Sequence, residues 1–188
     1  MEQSRLVAPR AVWEEIVAHA REGLPEEVCG LLRGHAGIVT GLVRAHNVAE
    51  ARETHYLVDP QTLLRQFEFE DAGEEMVGIY HSHPAAPAYP SASDARWATY
   101  PDAVYVICSL ANPAAPVLRG YRLRPARFTG DALDYPLTPV HGQPDFLAYH
   151  RPPPGAFFVL QLRSGRGTTI TRVDVHEVDL VRQESTSG

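Results

Sequence analysis

The chain has no lysine: all 17 of its basic residues are arginine. It therefore offers no internal lysine amine for isopeptide attachment. Cysteine is almost as scarce, with Cys29 and Cys108 alone, each in a mostly apolar, strand-like run, so a disulfide scaffold and a zinc-finger spacing are both excluded. The two thiols read as small buried side chains rather than nucleophiles. No apolar span is long enough to cross a bilayer as a helix, and the N-terminal residues lack the apolar run and small-residue cleavage site of a secretory signal. These absences predict a cytoplasmic protein with no membrane partner. The formal charge of −6, with a pI near 5.8, argues against nucleic acid as a partner. Repeats, coiled-coil heptads and phosphate-binding loops are also missing. What is present suits one principal folded domain: 188 residues, 44% hydrophobic and 21% charged, enough for one substantial core but short for two large ones.

Periodicity orders the chain. Val12, Trp13, Ile16, Val17 and Ala20 mark an amphipathic helix starting near Ala11 and stopped by Gly23 and Pro25. Val28–Leu32 and Ile38–Val43 read as strands, with Glu27 at a strand edge. Asp59-Pro60 predicts the start of a helix running toward Ala72, with Leu63, Leu64 and Phe67 on its covered side and Phe69 as a further candidate there. Met76–Tyr80 is a core strand that delivers His81 and His83 at its end. After a Pro/Ala-rich loop, Ser91 or Ser93 caps a short helix with Asp94 in its first turn. Val104–Leu110 and Val117–Leu123 are further strands, and this alternation favours an α/β sandwich. The local pattern weakens over 125–155, a Pro/Gly-rich connecting segment. Residues 156–188 read as a β-hairpin extension and polar tail, pairing Phe157–Leu162 with Thr168–Val175. That hairpin could extend an edge or serve as a homodimer contact.

The chemistry concentrates in His81-Ser82-His83-Pro84, followed by Ser91 and Asp94. Two imidazoles and a carboxylate supply three zinc ligands while leaving one coordination position open, the arrangement of a catalytic rather than a structural zinc. On a continuing strand, the two-residue spacing puts His81 and His83 on one side, with Ser82 directed outward between them. Glu27 is the candidate base. Glu26 is the neighbour most easily confused with it, but adjacent strand residues face opposite ways. Ser82 is no serine-hydrolase nucleophile, because no supported Ser-His-Asp arrangement accompanies it. A nucleoside deaminase is excluded as well, since the expected His-x-Glu and later Pro-Cys-x-x-Cys pattern is missing.

Taken together, Glu27 in Glu-Val-Cys-Gly-Leu-Leu, His81 and His83 in His-Ser-His-Pro, and Ser91-Ala92-Ser93-Asp94 closely resemble the JAMM metalloprotease family, also called catalytic JAB or MPN. The likeness covers roughly residues 5–124. It implies a cytidine-deaminase-like JAB/MPN sandwich with a mixed central sheet and flanking helices over residues 1–124, to which the C-terminal β-hairpin extension is added. It implies a Zn2+ ion at His81, His83 and Asp94, Glu27 as alternating base and acid, and Ser91 as donor to the oxyanion. The same serine is also a candidate for the helix cap. The short span between Asp94 and the next strand resembles the short prokaryotic branch. That branch implies a peptidase acting after the C-terminal glycine of a small ubiquitin-like or sulfur-carrier protein with a Gly-Gly end, including release of cysteine. The alternative is an MPN-like protein-binding module that has lost turnover.

Overall fold

Residues 5–128, 137–151, 155–163 and 167–183 are described by the computed structural model. The chain divides into two compact units, one of Met1–Tyr89, Asp102–Tyr121 and Glu177–Gly188, the other of Pro90–Pro101 and Arg122–His176. Among the described residues, no helix is long and apolar enough to cross a membrane.

In the first unit, β1 (Arg5–Pro9) leads directly into α1 (Arg10–Glu22), and the strands β2 (Cys29–His35) and β3 (Ile38–Ala45) follow. Next come α2 (Pro60–Leu64), α3 (Gln66–Asp71), β4 (Glu75–His83), β5 (Val104–Ser109) and the start of β6 (Val117–Arg127). The sheet is mixed, in the order β1-β3-β2-β4-β5-β6, with β4 and β5 parallel and β2 antiparallel to both β3 and β4. Every residue of β5 is buried, as expected of a strand covered on both faces.

The two faces of this sheet can be told apart by alternation. Tyr80 lies on the face covered by α1, where its hydroxyl meets His19 Nδ1 at 2.8 Å. Val12, Trp13, Ile16, Leu32, Val104, Val106 and Cys108 share its core. Gly30 is Tyr80's cross-strand partner, and a Cβ there would run into the tyrosine ring. His81 and His83 therefore point to the opposite face. Cys29 pairs with His81 and Cys108 with Ser82, so the two free, buried thiols sit on opposite faces.

The predicted helix toward Ala72 is broken at Arg65. Asp59 caps α2 by accepting from the Thr62 amide at 2.9 Å, and α3 restarts one residue after α2 ends. Phe69, the further candidate, is buried; the break shifts the helical phase, so Leu64 and Phe67 are exposed, contrary to the covered side expected for them.

The second unit contains α4 (Ala92–Arg96), β7 (Thr138–Val140), β8 (Gln143–Arg151), β9 (Ala156–Arg163) and the start of β10 (Gly167–Gln183). Its strands form an antiparallel meander. The expected hairpin is present, pairing Ala156–Arg163 with Gly167–Asp174, although its turn residues 164–166 lie outside the described residues. Two strands, β7 and β8, fall where the local sequence pattern is weakest. The far end of β10 returns to the first unit, where Asp179–Gln183 pairs in parallel with Arg5–Pro9, so much of the expected polar tail is strand.

Candidate metal centre

The register of β2 on β4 builds the site. Cys29 pairs with His81, and the ladder runs one residue further: the Ser82 amide donates to the Val28 carbonyl at 2.9 Å, and the Val28 amide donates to Ser82 Oγ at 2.9 Å. Glu27 comes next, beyond the end of the ladder, where its amide donates to Arg52 O at 2.7 Å. Cross-strand partners share a face, so Cys29, His81 and His83 lie together on the side away from α1. Glu27 is 6% exposed and His81 0%, whereas Glu26 pairs with Arg52 at 3.2 Å on a half-exposed side chain. Ser82 departs from expectation. It is fully buried rather than outward, because α1 covers the face it occupies and its hydroxyl completes the bond to Val28.

The loop after β4, Pro84 to Tyr89, has few polar side chains of its own, and three donors hold its successive carbonyls. Ser109 Oγ donates to Ala86 O at 2.6 Å, His83 Nδ1 to Pro87 O at 2.8 Å, and the Tyr121 hydroxyl to Ala88 O at 2.7 Å. A carbonyl only accepts, so the proton of His83 resides on Nδ1, and its Nε2 lone pair is available to a metal. That Nε2 stands 3.0 Å from His81 Nε2. The His81 ring is in turn stacked on Tyr56, with centroids 4.2 Å apart and planes 19° from parallel.

Asp94 sits in the first turn of α4, where Ser91 is the cap. Ser91 Oγ accepts from the Asp94 amide at 3.1 Å, and Asp94 Oδ2 accepts from the Ser91 amide at 2.6 Å. This reciprocal pair is a capping box. Ser93 is not the cap; its hydroxyl accepts from Gln143 Nε2 at 3.0 Å. His81, His83 and Asp94 are all buried, and each presents a ligand atom within 4.8 Å of the others. Two imidazoles and a carboxylate, one imidazole with its tautomer fixed and the carboxylate oriented by a backbone amide, fit the donor set that Zn2+ takes.

Cys29 adds nothing reactive to this face. Burial, reinforced by the charges of Asp59 and Glu27, pushes its thiol up to about 12, far from a thiolate at neutral pH. Sequence reasoning missed Asn47, Tyr56, Ser109 and Tyr121. Tyr56 and Asn47 lie in an aperiodic stretch with no motif, and Ser109 and Tyr121 look like ordinary members of apolar strands. Only the β4–β5 pairing of His83 with Ser109 would have drawn Ser109 to the site.

The model of the family described as prokaryotic homologs of the JAB domain matches residues 9–124. A desampylase from Haloferax volcanii is 41% identical over 116 residues, 58% of this chain and 84% of that protein. A CysO-cysteine peptidase from Mycobacterium tuberculosis is 43% identical over 112 residues, 57% of this chain and 75% of that protein. Among solved structures, a protein from Desulfitobacterium hafniense determined in solution superposes with a TM-score of 0.62 at 26% identity, covering 97% of this chain and 95% of that one.

Proposed function

The chain belongs to the prokaryotic homologs of the JAB domain, and from that membership we propose that it is a JAMM-type metallopeptidase acting on conjugates of a ubiquitin-like or sulfur-carrier protein. The bond cut is the peptide or isopeptide bond after the carrier's C-terminal glycine. The buried convergence of His81, His83 and Asp94 carries this reading, beside relatives named as a desampylase and a CysO-cysteine peptidase. The JAB/MPN α/β fold, with its mixed sheet, supplies the scaffold.

His81, His83 and Asp94 would hold a Zn2+ ion, which when bound would supply Lewis acidity for the scissile carbonyl and for an attacking water near neutral pH. Glu27, a buried carboxylate two residues before the Cys29 that pairs with His81, takes the proton from the attacking water and returns it to the departing amine. Pro87 O holds His83 in the tautomer this requires. Ser91 serves two purposes without conflict: its oxygen accepts from the Asp94 amide, while its own hydrogen remains to be donated to the carbonyl oxygen as negative charge develops.

Ser91 separates these purposes by substitution. Ser91→Ala loses about 1 kcal/mol of stability with the cap, whereas Ser91→Gly loses only a few tenths. Both lose about a hundredfold in kcat with the donor. Thermal melts and steady-state kinetics on the pair check this; an active Ser91→Gly enzyme leaves Ser91 as a cap alone.

Intact-mass spectrometry tests the function itself. A Gly-Gly-ended carrier bearing C-terminal cysteine or a lysine-linked cargo is expected to be cut after the terminal glycine by the zinc-loaded protein and to stay intact after chelation. Carrier that binds but is never cut would instead indicate a recognition module.

A further inference from the structure

Glu27 lies outside the β2 ladder, so something else must hold its backbone. Both its main-chain polar groups are bound by the segment between β3 and α2, residues 46–58. The Glu27 amide donates to Arg52 O at 2.7 Å, and its carbonyl accepts from Asn47 Nδ2 at 2.8 Å. Asn47 then uses every remaining position of its side-chain amide on the same segment. Its second Nδ2 hydrogen goes to His55 O at 2.9 Å, and its Oδ1 accepts from the amides of Ala49 and Leu57, each at 3.0 Å. Two donors and two lone pairs are thereby used. The segment is closed by a bridge between Asn47 and Val58 and by the Val48 amide on Leu57 O at 2.9 Å. Its Tyr56 is the residue stacked on His81.

One segment thus grips the candidate base through Asn47 and a candidate ligand through Tyr56. We propose that residues 46–58 are a positioning clamp, in which Asn47 sets the place of Glu27 and Tyr56 sets the plane of the His81 imidazole. The inference rests on the metallopeptidase reading above. Neither residue touches the reacting atoms; both act through groups that do. The stack restrains the His81 ring about its side-chain torsions, and the amide network fixes the backbone from which the Glu27 carboxylate projects. A ligand ring so restrained loses less freedom when it takes up an ion, and a base on a fixed backbone does not drift from the proton it must receive.

Competition for zinc against a chromophoric chelator and steady-state kinetics test both halves. Tyr56→Phe keeps the stack and is expected to match wild type in zinc affinity; Tyr56→Ala is expected to bind zinc about tenfold or more weakly, as for other groups that orient a ligand. Asn47→Asp keeps the acceptor oxygen and the side-chain shape but loses the donors to Glu27 O and His55 O. Its kcat should fall by up to about a hundredfold with KM and zinc affinity little changed, and the melting temperature reports whether the fold survives. Equal zinc affinity in wild type and Tyr56→Ala, equal losses in Tyr56→Phe and Tyr56→Ala, or an Asn47→Asp enzyme with wild-type kcat overturns the clamp and leaves the metallopeptidase reading standing. A wild-type protein that takes up no zinc overturns both.

Discussion

Glu27→Gln should bind zinc, fold normally and cleave about 10²- to 10⁴-fold more slowly than wild type, the range spanned by loss of a positioned acid/base. Glutamine has the size of glutamate but cannot accept and return a proton at neutral pH. The exchange leaves intact the backbone bonds to Arg52 O and from Asn47, so loss of activity cannot be ascribed to a displaced strand end. Glu26→Gln is the matched control. Its partner Arg52 is half exposed, and such pairs contribute little to stability, so this variant should be indistinguishable from wild type. Single-turnover cleavage followed by intact mass is the measurement. A Glu27→Gln protein cutting at the wild-type rate would remove Glu27 from the mechanism.

Removing a ligand should have a comparably large effect, with a second readout in stability. An ion that binds the folded chain and not the unfolded one stabilises it by about 4 kcal/mol at a free concentration a thousandfold above its dissociation constant. Wild-type protein should therefore melt several degrees higher with zinc than with chelator, by an amount rising with the logarithm of free zinc. His83→Ala should show neither the zinc-dependent shift nor cleavage. It also loses the bond to Pro87 O, so its melting temperature in chelator should lie below that of the wild-type apoprotein. Calorimetric melts across a zinc series decide the matter: a His83→Ala protein that still gains stability with zinc as wild type does places the ion elsewhere.

Much of this was legible beforehand because it is written in local pattern. The His81-x-His83 spacing at the end of an apolar run gives two imidazoles on one face. Asp59-Pro60 announces a helix start by its own chemistry, and Phe157–Leu162 followed by Thr168–Val175 announces a hairpin. The failures have equally definite causes. Ser82 reads as outward only if one face of β4 is open, and α1 arrives from far away in sequence to cover it. Leu64 and Phe67 read as covered only if the helix is continuous, and a break at Arg65 changes the phase. β7 and β8 gain their order by pairing with neighbours in the meander, which no short window of sequence can report.

By itself, then, the sequence determined the donor types, their spacing along each element and the family they resemble, because side-chain chemistry and strand or helix period are local properties. Apart from the Ser91 amide on Asp94, which is a local cap, tertiary structure alone decided which partners orient those donors: Pro87 O on His83, Tyr56 on His81 and Asn47 on Glu27. These are contacts made by strand register and loop closure. Such contacts join residues as far apart as Tyr56 and His81, and their geometry exists only once the chain has folded.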